Sequence, residues 1–176
     1  MVRPLHAAIA ALLKLHDMVS QLAFWLGSAA LGVIVLSYAY EVVMRYIFAA
    51  PTRWASDLVS FLLLMSVFLV APWLTREGGH VSVTLLPDLL PEQRSKWIQR
   101  AGFALGALVC FCAGWIVVGE TQLLFQRGTA TLTAVRVPKW TLEALIAFGL
   151  VNSGLYFLRL AFGADAAAEP KGAENA

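Results

Sequence analysis

Between Asp17 and Glu41 the chain runs about 23 residues without a charge, close to the 20 or so that carry a helix across a hydrocarbon core. Three more windows repeat the pattern: Asp57 to Arg76, Arg100 to Glu120, and Lys139 to Arg159, the last interrupted only by Glu143. None of them alternates polar and apolar residues with a period of two, as a membrane barrel requires. Only helices and closed barrels satisfy their backbone inside lipid. The expected fold is therefore an all-α integral membrane protein with spans near 18–44, 57–75, 98–125 and 139–162, all in one domain over 1–163.

Composition agrees, with 60% of residues hydrophobic and only 14% charged, where a soluble domain carries about 25% charged residues. Lys and Arg bias sets the orientation. Of the 13 Lys and Arg residues, eight (Arg3, Lys14, Arg76, Arg94, Lys96, Arg100, Arg159, Lys171) fall on the amino-terminal side and five (Arg45, Arg53, Arg127, Arg136, Lys139) on the other. Both termini are thus expected in the cytoplasm. Leu5, Ile9, Leu12, Leu13 and His16 recur at helical spacing, but Lys14, His16 and Asp17 interrupt the apolar run, so an interfacial helix is expected here rather than a cleaved signal. The small, polar residues 164–176 have nothing to bury and are expected to form a disordered tail.

Motifs for chemistry are missing. Cys110 and Cys112 form a C-x-C pair whose thiols point about 200° apart on a helix, with no basic neighbour to activate either. The three histidines, His6, His16 and His80, fall outside the four windows, which excludes a haem held between spans. No Ser stands in a G-x-S-x-G context, and no His and Cys spacing suits a metal. The expectation is a non-enzyme with no cofactor, no metal and no nucleic-acid partner.

Glu41, Asp57, Glu120 and Glu143 are the ionisable groups at or inside the window edges, and all four edges lie on the same, outer side. A transport site needs a carboxylate near the midplane. At the rim, ion pairing is the simpler reading, because Glu41 precedes Arg45 by the favourable i,i+4 interval, with Arg53, Arg127, Arg136 and Lys139 at the same level. In the third span Gly102, Gly106, Cys110 and Gly114 recur every fourth residue, a stripe that admits another helix closely. Gly102, Gly106 and Gly114 are candidate packing positions for a partner helix.

The long polar interval in the middle opens with Gly78, Gly79 and His80. Glycines directly after a span let the chain leave the helix with positive φ, so these three read as a hinge rather than a reactive site. Beyond them Leu85, Leu86, Leu89 and Leu90 give an apolar side to a stretch punctuated by Pro87 and Pro91, suited to lying in the interface with Trp97 as anchor.

These elements occur together in a recognisable order. Arg45-Tyr46-x-Phe48, Pro51, Trp54 and Asp57 are followed by Arg76-x-Gly78-Gly79-His80-Val81-x-Val83, then Gly128, then Pro138-x-Trp140. The chain resembles the small, DctQ-like membrane subunit of tripartite ATP-independent periplasmic (TRAP) transporters. That resemblance implies a multi-pass protein of the bacterial inner membrane. It also implies two partners, a large multi-spanning subunit that moves an organic anion with a sodium gradient and a periplasmic solute-binding protein that delivers it.

On this reading Glu41, Arg45, Arg53, Trp54, Asp57, Arg127, Arg136 and Lys139 form the outer face, available for ion pairs and partner contacts. Two departures touch that face: a lone Asp57 after Ala55-Ser56 where a second acidic residue is common, and Thr129 and Thr131 where a Ser commonly follows the Gly. The rival readings are an accessory subunit of another membrane complex, a free-standing multidrug exporter, which needs a carboxylate reachable from both sides, and a quinone-linked thiol oxidase, which needs Cys110.

Overall fold

A computed structural model of the protein describes residues 3–77 and 92–162. They form four helices: α1 (Arg3–Tyr46), α2 (Ala55–Arg76), α3 (Glu92–Arg127) and α4 (Lys139–Phe162). Each contains a stretch long and apolar enough to cross a membrane, so the all-α membrane fold holds. The Gly78–His80 hinge, the leucine-rich stretch 85–90 and the tail 164–176 lie outside the described residues.

Two helices run past their expected bounds. Helix α1 has 44 residues, about 66 Å at 1.5 Å per residue, roughly twice the hydrocarbon thickness. The expected interfacial helix is continuous with the first span. Its cause is visible in the sequence, since no Gly or Pro falls between Leu5 and Leu26 to break the helix. His16 thereby sits within a span-length helix rather than ahead of one. Among the described residues α3 starts at Glu92, ahead of its expected start near 98.

Helix α1 packs on α2, α2 on α4, and α4 on α3. The helices therefore follow the order α1, α2, α4, α3, with α1 and α3 at the edges. The buried apolar set is mostly alanine (Ala23, Ala30, Ala55, Ala107, Ala147, with Val59, Leu69 and Tyr156), while many large side chains such as Trp115, at 83% exposure, point outward. This reverses the soluble pattern. Lipid is as apolar as leucine, so it solvates the large groups and leaves small ones to bring helices close.

The closest approach joins α2 to α4. Pro72 lies inside α2 and has no N–H to give the carbonyl of Phe68, four residues earlier. Gly149 of α4 backs onto that same carbonyl: a Cβ placed there would lie 2.5 Å from Phe68 O. Lacking a side chain, Gly149 brings its Cα hydrogens to the oxygen that Pro72 left open. Gly27 serves α1 and α2 similarly, with a hypothetical Cβ 2.7 Å from Val70 and 3.2 Å from Ser66 O.

Candidate functional site: polar groups at the two ends of the bundle

At the end carrying the 46–55 and 127–139 connections, here the loop end, Glu41 is 6% exposed despite its charge. Its Oε1 accepts from Arg45 at 2.7 Å and its Oε2 from the Thr52 backbone N–H at 3.0 Å and from the Thr52 hydroxyl. Arg45 supplies the i,i+4 pair, and Thr52 ties the carboxylate to the connection that follows. The connection turns tightly: Ala49 takes φ 49°, and Ala50 N–H donates to Met44 O at 3.0 Å. Trp54 stacks near Tyr40 with ring centroids 6.0 Å apart.

Asp57 stands in the first turn of α2, where a carboxylate favours the helix dipole. It also reaches across the bundle, its Oδ2 accepting from Ala134 N–H at 2.7 Å. Ala134 belongs to a small hairpin that begins at Gly128, φ 60°, and closes through Thr131 N–H to Val137 O at 2.9 Å and Lys139 N–H to Thr129 O at 3.0 Å. The Thr131 hydroxyl accepts from Val137 N–H at 3.0 Å, so the threonine found in place of serine braces the hairpin. Phe125 and Trp140 meet edge to face across its base, 5.4 Å between centroids.

Arg53, Arg127, Arg136 and Lys139 are exposed at this end and form no ion pair among the described residues. Glu120 is exposed and Glu143 half-buried; neither is paired among the described residues. The eight expected outer-face residues thus lie at the loop end, but only Glu41, Arg45 and Asp57 are joined by polar side-chain contacts.

The glycine stripe is used inside the chain. Hypothetical Cβ atoms at Gly106 and Gly114 would lie 3.4 Å from Phe157 and 3.2 Å from Val151, both on α4, while Gly102 faces open space. Gly106 and Gly114 thus pack against a helix of the same chain. Spacing reveals a small-residue face but not its partner, and α4 answers it with Gly154, seated against Cys110 and Phe111.

The opposite end holds a network that sequence reading missed. Arg159 of α4 donates to Asp17 of α1 at 2.6 Å, and the Tyr156 hydroxyl donates to the same oxygen at 3.0 Å. His16 lies against Tyr156, with ring centroids 4.2 Å apart. Its Nδ1 is 3.2 Å from Arg159 and its Nε2 3.0 Å from Asn152 Oδ1. A guanidinium only donates, so Nδ1 accepts and the Nε2 proton goes to Asn152, which assigns a neutral imidazole of one tautomer. Tyr156 is fully buried. The sequence held one usable signal: Asp17 opens the first window and Arg159 closes the fourth, and an up-down bundle brings those ends together.

Cys110 and Cys112 are free thiols, and no group of three or more potential metal ligands occurs among the described residues. Two shallow grooves flank Ala144 and Phe148 of α4, one toward Leu69 and Trp140, the other toward Val118 and Val151, and both are apolar. The polar side chains instead join helix to helix and loop to helix.

A family model for tripartite ATP-independent periplasmic transporters, DctQ component, matches residues 34–165, from the middle of α1 past the end of α4. A search of curated proteins finds no match.

Proposed function

The chain belongs to the DctQ component family of TRAP transporters, and on that premise we propose that it braces the large, sodium-coupled subunit during binding-protein-dependent uptake of an organic anion. Family membership makes it a small subunit of an inner-membrane transporter. The bracing role is supported by how its polar groups are used. The carboxylates of Asp17, Glu41 and Asp57 each accept from the chain's own helices or loops, which stiffens the bundle.

Tagged chain purified in mild detergent should bring a larger membrane protein with it. Vesicles containing this chain alone should show no uptake; adding the large subunit, the binding protein and a sodium gradient should restore it. Uptake by the chain alone would overturn the reading in favour of an exporter.

The Lys and Arg bias supports a periplasmic loop end, where the exposed Arg53, Arg127, Arg136 and Lys139 are the charges able to meet the binding protein. Rim charges chiefly set encounter rate and orientation. Reversing all four should slow uptake at low salt more than at high salt. Unchanged kinetics and salt dependence would exclude docking on this surface.

A further inference from the structure

Helices α1 and α4 meet mainly through α2, yet at the amino-terminal end side chains cross directly between them. Arg159 and Tyr156 reach Asp17, and Arg159 and Asn152 reach His16. Phe24 of α1 meets Trp73 of α2, 5.5 Å between centroids, about two turns further along the helix. The turn of α1 that carries His16 and Asp17 is thus held to α4 by polar groups.

A joint of this kind depends on protonation. His16 accepts at Nδ1 from Arg159 and donates at Nε2 to Asn152 Oδ1, so it is gripped in its neutral form. An added proton would sit on Nδ1, the nitrogen facing the guanidinium. The 3.2 Å contact would then set donor against donor and cation against cation.

The other groups around the imidazole do not offset this. On α1 the neighbouring carboxylate is Asp17, whose Oδ1 is already taken by Arg159 and Tyr156. On α4 stand Arg159 and the uncharged Tyr156, whose ring lies 4.2 Å from the imidazole. On α2 Arg76 is close enough to act on the Asp17 charge. Among the described residues a protonated His16 would join two arginines against one carboxylate.

We propose that this cluster is an acid-sensitive clasp: when His16 takes up a proton, the turns of α1 around His16 and Asp17 part from α4, while α2 keeps the rest of α1 in place. The clasped state excludes a proton that the open state accepts. Clasping is therefore favoured at high pH and lost as pH falls through the range, about pH 8 to 5, in which an imidazole changes charge. The Lys and Arg bias supports a cytoplasmic position for this end, so the acid sensed would be that of the cytoplasm. Such a response needs no partner subunit and stands apart from the bracing role.

The test uses the full chain in lipid nanodiscs, with Cys110 and Cys112 replaced by alanine and spin labels at Leu12 of α1 and Leu158 of α4, both exposed. As pH is lowered from about 8 to about 5, a short distance between the labels should give way to a longer one, their ratio changing by up to about tenfold per pH unit, the limit for one proton. Nitrogen chemical shifts of the His16 ring should show the Nε2-protonated tautomer at high pH and titrate with the same midpoint. His16→Gln should give one distance distribution at every pH. His16→Phe, which keeps a ring against Tyr156 but has no proton to gain, should do the same if glutamine disturbs the helix.

A distance that stays fixed while His16 titrates overturns the clasp. So does a His16 that remains neutral down to about pH 5, or a pH-dependent distance that survives both substitutions.

Discussion

The two ends of the bundle solve the same problem, charge near an apolar solvent, at different ranges in the chain. At the loop end Glu41 finds Arg45 four residues away and Thr52 eleven away. At the amino-terminal end His16 and Asp17 find Asn152, Tyr156 and Arg159 more than 130 residues away. The first kind of contact shapes a turn. The second holds α1 to α4, a pair that otherwise meets mainly through α2.

The largest effect should come from the strut that both ends share. Gly149→Val places a branched side chain where even a Cβ would be 2.5 Å from Phe68 O, and neither backbone can give without moving a whole helix. Overpacking of this kind costs about 3 kcal/mol or more when the obstacle is backbone. The variant should fail to elute as a single species in detergent. Normal elution and melting would show that α2 and α4 are not held where Pro72 opens the helix.

Next comes the long-range network. Arg159→Leu leaves Asp17 with one donor, Tyr156, in a setting where the Arg159 and Asp17 side chains are only 13% and 27% exposed. Loss of one partner from a fully buried pair costs about 3–5 kcal/mol, and the residual exposure of Asp17 brings the expectation to about 2. A lowered melting midpoint should be partly restored by pairing Asp17→Arg with Arg159→Asp. No change in either variant would reduce the network to a coincidence of rotamers.

This contrast explains what was legible in the sequence. Helix number followed from charge-free windows, because lipid imposes a length on each helix regardless of its neighbours. The Glu41 and Arg45 pair followed from helical periodicity. How the amino-terminal segment is held was not legible, because His16 and Asp17 find their partners on α4 and not near them in the chain. The Gly106 and Gly114 face was visible, its partner was not. Which helix lies beside which is a tertiary fact, and periodicity carries only the direction of a face within its own helix.

At the loop end itself, Asp57→Ala should release the hairpin from α2 without disturbing the spans. The lost bond, 2.7 Å from carboxylate to Ala134 N–H, is worth about 1 kcal/mol at a partly solvated position. Faster hydrogen exchange at Ala134 with a modestly lowered melting midpoint is the expected outcome. A smaller effect of opposite sign should come from Ala49→Gly. Ala49 holds φ 49°, a conformation that costs a residue with a Cβ about 1 kcal/mol, and glycine recovers part of it at some cost in unfolded-chain entropy. The midpoint should rise slightly.

Smallest of all should be the pair most easily read from the sequence. The Arg45 side chain is 58% exposed, and an exposed i,i+4 pair contributes little, less still as salt screens it. Glu41 would still keep the backbone and hydroxyl donors of Thr52 after Arg45→Ala, so its charge would not be stranded. The melting midpoint should therefore barely move, and the small difference should vanish in high salt. A loss comparable to that of Arg159→Leu would reverse the ranking of the two ends and mean that Arg45, not Thr52, holds Glu41 in place. If the ranking stands, the pairs easiest to see in a membrane sequence matter least to its stability, because a spacing short enough to read is also short enough to form without the fold.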